Sequence, residues 1–205
     1  MSKQTVNTRA LLLIALFVSL ISVCAWISIP FTIPFTLQTL AIFLACLFLK
    51  AKKALVAVAI YLLIGFCGVP VFSGFSGGLA MLFSAQGGYL LGFLAIPLVL
   101  MIFEKNPKIH LLALFFGTLV CYFIGTLWCA VIFGGEKSFF NLLGICILPF
   151  IIPDTIKLFI AHFIFKVLPA EQPIFIVDEP ELSLHLNWQR KFVDSILSIN
   201  ANVQL

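Results

Sequence analysis

Pro153-Asp-Thr-Ile-Lys-Leu-Phe-Ile-Ala-His-Phe-Ile-Phe-Lys-Val-Leu168 decides how the rest of the chain is read. It is apolar enough to enter a bilayer, yet it carries an acid and an amine near its start. Ionisable side chains at membrane depth face the protein interior or a water-filled cavity, because either charge alone is costly in lipid. A spacing of three puts Asp154 and Lys157 on one helix face. Pro153 fixes the backbone just before the first turn, so Asp154 is expected near the helix's positive end. Two readings follow. One is a structural ion pair, or a cap with a snorkelling lysine; the other is a ligand site made of one hydrogen-bond acceptor and one cation.

Working outward, the same apolar character covers most of the chain. Of 205 residues, 62% are apolar and 10% charged, and mean hydropathy is +1.20. Water-soluble domains hold about 45–50% apolar and 25% charged residues, so a soluble enzyme is excluded for most of the sequence. A helix needs roughly 20 residues to cross a bilayer core. Runs bounded by polar residues, Pro or Gly lie at Ala10 to Ile29, Phe35 to Leu49, Ala54 to Phe66, Gly88 to Phe103, Ile109 to Phe133 and Asp154 to Leu168. The expected fold class is therefore an all-α integral membrane protein with six transmembrane helices and a structured outer loop. Ala10 to Ile29 is read as a retained anchor, since further spans follow it. Phe139 to Ile152, interrupted by Gly144 and Pro149, is expected as a dipping loop rather than another span.

Basic residues orient the spans. Lys3, Arg9, Lys50, Lys52, Lys53, Lys105, Lys108 and Lys166 fall on the side of the amino terminus, and the opposite loops hold only Lys137. Both termini are expected in the cytoplasm. The outer loops carry Gly, Pro, Ser and aromatics instead: Gly65, Gly68, Gly74, Gly77, Gly78, Gly87, Gly88 and Gly92 are eight of the thirteen glycines. With apolar Val69 to Phe72 among them, this segment reads as a cover packed over the mouth of the bundle. Gln38, one turn inside the second span, and Gln86, where the fourth begins, place further polar groups at the depth of Asp154. The cysteines, Cys24, Cys46, Cys67, Cys121, Cys129 and Cys146, show no CxxC spacing and read as small packing residues. No metal or cofactor is expected, and no nucleic-acid partner.

Four motifs now carry a resemblance. Ile29-Pro-Phe-Thr-Ile-Pro-Phe-Thr-Leu-Gln-Thr-Leu-Ala41, Gly68-Val-Pro-Val-Phe72 with Ser76-Gly-Gly78, Gly87-Gly-Tyr-Leu-Leu-Gly-Phe93, and Pro153-Asp-Thr-Ile-Lys157 together resemble the BioY family, over about residues 9 to 168. These are biotin-binding S components of energy-coupling factor (ECF) transporters. The resemblance implies a multi-pass protein of the bacterial plasma membrane, embedded in lipid, that captures biotin outside. It would work with a transmembrane coupling subunit and a pair of cytoplasmic ATPases, and would itself catalyse nothing. By the same resemblance Asp154 and Lys157 are ligand contacts, with Gly87, Gly88 and Tyr89 in the cavity wall. Phe31, Phe35, Phe72 and Phe75 are candidates for its apolar lining. Which end of the ligand meets the charged pair stays open. Ala15 and Ser19 fit the small-xxx-small pattern of the coupling-subunit contact, though internal helix packing explains them equally well. Ser84-Ala85-Gln86 departs from the family's usual Gly-Pro-Thr. An S component for another vitamin or a biotin analogue is the alternative. A more distant one is a rhomboid-type intramembrane protease built on Ser76, within Gly74-Phe-Ser-Gly77, and His162.

Residues 169 to 205 change character. Residues 1 to 168 hold 10 basic and 3 acidic side chains, the remainder 2 and 5. Pro173-Ile-Phe-Ile-Val-Asp-Glu-Pro-Glu-Leu-Ser-Leu-His185 resembles the Walker B strand of AAA or SMC-like ATPases. The chain contains no GxxxxGK[ST] loop to cradle phosphates. The expectation is two segments: a six-helix membrane domain, 1 to 168, and a truncated, non-native-looking and inactive ATPase-like fragment, 169 to 205. Within the fragment Trp188, Phe192, Ile196 and Ile199 are spaced for an amphipathic helix.

Overall fold

A computed structural model describes residues 8–30, 33–132, 144 and 147–168. The chain divides into two units, Met1–Leu168 and Pro169–Leu205. All the described residues belong to the first; the ATPase-like fragment and its expected helix lie outside them.

The described residues of the membrane unit are mostly helical. Helix α1 (Thr8–Trp26) is followed by a two-stranded hairpin, β1 (Ser28–Ile29) and β2 (Phe35–Thr36), and then by α2 (Gln38–Leu49) and α3 (Ala51–Phe66). After a cover segment with two short 3-10 turns come α4 (Gly87–Gly92), α5 (Ala95–Ile102), α6 (His110–Ile132) and α7 (Leu148–Val167). Thr8–Trp26, Pro107–Ile132 and Leu148–Val167 are long and apolar enough to cross a membrane on their own. At 1.5 Å per residue, the 12 residues of α2 span only about 18 Å. The hairpin, which pairs Ser28 with Thr36 and Ile29 with Phe35, leads directly into it.

The polarity of the bundle is inverted relative to a soluble protein. Leu12, Leu63, Phe123, Val131, Ile152 and Phe163 project outward, while Gln38, Thr39, Thr126, Asp154 and Lys157 are buried. This is the distribution that a lipid solvent favours. Between the helices the core is built from small and branched residues, among them Ala41, Ala45, Ala54, Ala57, Val58, Ile96 and Leu114. Helix α2 packs against α1, α3 and α7, and α6 against both α4 and α5.

Three sequence expectations change. The fourth span runs on as one apolar helix, Gly87–Ile102, but loosens at Phe93 and Leu94 between α4 and α5, where Pro97, inside α5, has no N–H to donate to Phe93. The last helix begins at Leu148, with Pro149 in its first turn and Pro153 inside it. Leu148 to Ile152 therefore belong to the span, while most of the expected dipping loop (139–143, 145 and 146) lies outside the described residues. Asp154 consequently sits in the second turn, and the helix-end argument for its placement does not hold. The first outer loop is a β-hairpin inside an otherwise helical fold.

Candidate functional site

Two helices of opposite character meet at the charged pair. Helix α7 brings Asp154 and Lys157 to the interior, each 5% exposed, while Ile152, Ile156, Phe159, Ile160 and Phe163 face outward. Short α2 begins beside them, so the hairpin residue Thr36 and the first-turn residues Gln38 and Thr39 enter the same space. Lys157 Nζ donates to Asp154 Oδ1 at 2.7 Å, to the Thr36 carbonyl at 2.7 Å and to Thr39 Oγ1 at 3.1 Å. It also lies 4.0 Å from the centre of the Phe35 ring. The Thr39 hydroxyl donates to Asp154 Oδ1 at 2.8 Å, and the hydroxyl of Tyr122, from α6, donates to Asp154 Oδ2. The acid and amine cancel, and all three ammonium protons are used. Among the described residues no buried side-chain nitrogen or oxygen lacks a partner.

This cluster forms one wall of a cavity of about 600 Å³, mouth included. Its apolar lining comes from Ile33, Pro34, Tyr89, Leu90, Phe93, Cys121 and Phe150, and its remaining polar groups from Thr36, Gln38, Ser73, Gln86 and Thr118. Such a cavity, mostly apolar with a few convergent polar groups, suits a small amphipathic molecule. Ser73 donates to Gln86 Oε1 at 3.3 Å, which ties the cover segment to the start of α4. Tyr89 turns its ring to the cavity while its hydroxyl meets Thr126 Oγ1 at 3.1 Å. Among the described residues no three His, Cys, Asp or Glu side chains gather as a metal centre requires.

Of the residues expected at the site, Asp154, Lys157, Gln38, Gln86 and Tyr89 line this one cavity. Gly87 and Gly88 do not. A Cβ on Gly87 would lie 2.0 Å from the Leu82 carbonyl oxygen, and one on Gly88 2.2 Å from Trp128 Cβ, so these glycines let α4 pack tightly against its neighbours. Phe35 stands over Lys157, but Phe72 is buried behind the cavity and Phe75 is exposed, stacked on Trp26. Phe31 and Cys146 lie outside the described residues. Cys46, Cys121 and Cys129 are buried as packing residues, whereas Cys67 is exposed. Ala15 and Ser19 are exposed on α1, so they do not serve packing inside the bundle. The Ser76 hydroxyl donates to the Ser73 carbonyl at 2.8 Å, and no hydrogen bond joins it to His162. Tyr122, Thr39 and Thr36 were not singled out from sequence. The signal was present, since each is a polar side chain in or beside an apolar run, as Asp154 is.

Comparison with known proteins agrees with this architecture. The BioY family model matches residues 1–172. A probable biotin transporter BioY of Pyrococcus horikoshii is 42% identical over 147 residues, covering 71% of this chain and 86% of that protein. The biotin transporter BioY of Thermotoga maritima is 35% identical over 157 residues, covering 76% and 93%. The solved S component for biotin from an ECF-type ABC transporter superposes with a TM-score of 0.67 at 24% identity, over 81% of this chain and 95% of that one; this likeness shows the fold. On its sequence match, this chain belongs to the BioY family.

Proposed function

We propose that the chain captures biotin at the outer face of the membrane as the substrate-binding S component of an ECF transporter, and is not an enzyme. The observation that carries the reading is the closed cluster of Asp154, Lys157, Thr39 and Tyr122 at one wall of an otherwise largely apolar cavity. Biotin joins a ureido head, with two N–H donors and a carbonyl acceptor, to an apolar bicycle and a carboxylate tail. The cluster has no net charge, so it suits the neutral head. A carboxylate there would add an uncompensated negative charge to a buried site, which costs several kcal/mol. The ureido N–H groups then meet Asp154, and the ureido oxygen meets Lys157. The bicycle lies against Tyr89, Phe93 and Phe150, and the tail points to the mouth at Ser73 and Gln86.

Lys50, Lys52, Lys53, Lys105 and Lys108 lie at helix ends remote from this cavity. By the positive-inside rule those ends are cytoplasmic, the cavity faces outward and both termini are inside. Energy comes from elsewhere, from a coupling subunit and an ATPase pair. Ala15 and Ser19 support that partnership: they form a small-residue patch facing away from the bundle, and the Ser19 hydroxyl is already used by its own helix at the Ala15 carbonyl.

The test is calorimetric titration of the purified protein with biotin. Biotin binds, desthiobiotin, which keeps the ureido head, competes, and valerate does not. A folded protein that binds no biotin overturns the reading.

A further inference from the structure

Tyr61 of α3 is fully buried and stands behind the ligand cavity without lining it. A buried phenol needs partners for its hydroxyl, and Tyr61 has two of very different origin. It accepts a hydrogen bond from Gln38 Nε2, which lines the cavity, and donates to the carbonyl of Val71 in the cover segment at 3.1 Å. On the cavity side the line continues. Gln38 Oε1 accepts from Thr36 Oγ1 at 3.0 Å, and the Thr36 carbonyl accepts from Lys157 Nζ at 2.7 Å.

On the cover side, Phe72 meets the Tyr61 ring edge-on at 5.5 Å. It seats where Gly65 leaves room: a Cβ there would come within 2.1 Å of the ring tip. The Phe72 N–H then bonds the Ser76 carbonyl at 3.0 Å, closing the turn that presents Ser73 to Gln86 at the cavity mouth. A single line of bonded groups thus runs from the charged pair to the backbone of the cover.

We propose that Tyr61 is a positioning residue that couples occupancy of the cavity to closure of the cover, acting through Gln38 on one side and Val71 on the other. The proposal rests on the biotin reading above. A ligand that engages the Gln38 amide or the bond between Thr36 and Lys157 fixes the orientation of that amide. The amide fixes the Tyr61 hydroxyl, and the hydroxyl holds Val71 in place. The cover therefore closes most firmly when the cavity is filled, and the effect appears in ligand release rather than capture.

Tyr61→Phe keeps the ring and removes both bonds. In the full-length purified protein, release of radiolabelled biotin becomes faster by about tenfold, the effect of losing one or two net hydrogen bonds, while association changes less than about twofold. Amide hydrogen exchange across residues 68–78, slowed by biotin in the wild type, no longer responds to it. Gln38→Leu breaks the same line from the cavity side and also abolishes the response, which decides the matter should Tyr61→Phe fail to fold. Trp26→Phe is the control for a simple staple, because Trp26 Nε1 holds the same segment at Pro70 O, 3.0 Å away, without touching the cavity. It speeds exchange with and without biotin and leaves the biotin-induced difference in place. Wild-type release and wild-type protection in Tyr61→Phe overturn the coupling while leaving the biotin reading intact. A wild type that binds no biotin removes both.

Discussion

The charged pair makes a prediction in which stability and binding move in different directions. Lys157→Met removes an ammonium that makes three hydrogen bonds and leaves the Asp154 carboxylate 5% exposed, held only by Thr39 and Tyr122. Removing one partner of a buried ion pair costs about 3–5 kcal/mol, because the other charge stays buried without compensation. At about 2–4 °C per kcal/mol for a chain of this size, melting falls by roughly 10 °C. Asp154→Asn falls toward the lower end of the same range, about 3 kcal/mol, since it leaves the Lys157 charge uncompensated but keeps its bonds to the Thr36 carbonyl and the Thr39 hydroxyl. The double variant buries no charge and recovers to within about 1–2 kcal/mol of wild type.

Binding does not recover. Each substitution removes a charge-assisted contact to the ureido head, worth about 1.5–3 kcal/mol, so each single variant binds biotin at least about tenfold more weakly. The double variant is weaker still. Thermal unfolding of the solubilised protein, followed by Trp fluorescence, and calorimetric titration with biotin give both quantities on one sample. A double variant no more stable than Lys157→Met would refute the charge-coupling argument. Wild-type affinity in either single variant would refute the contact.

Three further outcomes are expected. Tyr122→Phe removes the donor to Asp154 Oδ2 and weakens biotin binding about tenfold by titration, with a stability loss of about 1 kcal/mol. Ala15→Leu combined with Ser19→Leu alters a surface patch on α1 and leaves binding by the purified protein unchanged, while biotin uptake by cells expressing the whole transporter falls at least about fivefold. Truncation after Leu168, the boundary of the membrane unit, leaves biotin affinity within about twofold of the full chain by titration, because every cavity-lining residue among the described residues lies before it.

The membrane class, the run of spans and the pairing of Asp154 with Lys157 were legible because each depends on local pattern: apolar length, basic turns and a helical spacing of three. What was missed depends on how separate segments meet. Tyr122 looks like one more aromatic in an apolar run until α6 is laid beside α7; Thr39 joins the pair only because α2 starts late, after a hairpin that brings Thr36 to Lys157. Proline misled at the start of α7. Pro149 and Pro153 look like breakers, but proline fits the first turn, where its missing N–H has no intrahelical partner. Pro153 then forgoes only the bond to the carbonyl of residue 149. At Pro97, inside α5, the missing bond loosens the turn at Phe93 and Leu94 without ending the apolar helix Gly87–Ile102. The double glycine before Tyr89 drew attention as a feature of the cavity wall, yet its cause is steric and lies in Leu82 and Trp128.

The completeness of the bonding around the charged pair bears on selectivity. Because the charged pair has no free donor, a ligand gains nothing from simple proximity; it has to exchange its own groups for bonds that Thr39, Thr36 and Tyr122 already supply. A ureido head can make that exchange, offering donors for Asp154 and an acceptor for Lys157. A molecule of the same shape without the N–H groups or the carbonyl leaves a charged group with an unpaired bond in an apolar cavity, a loss of about 1–3 kcal/mol or more. Discrimination of this kind comes from the penalty on the wrong ligand. On the proposed placement of the ureido head, it accounts for a full ion pair beside a neutral ligand group. A well-packed apolar wall would be about as stable, but it would accept any hydrophobic molecule of suitable size that the membrane supplied.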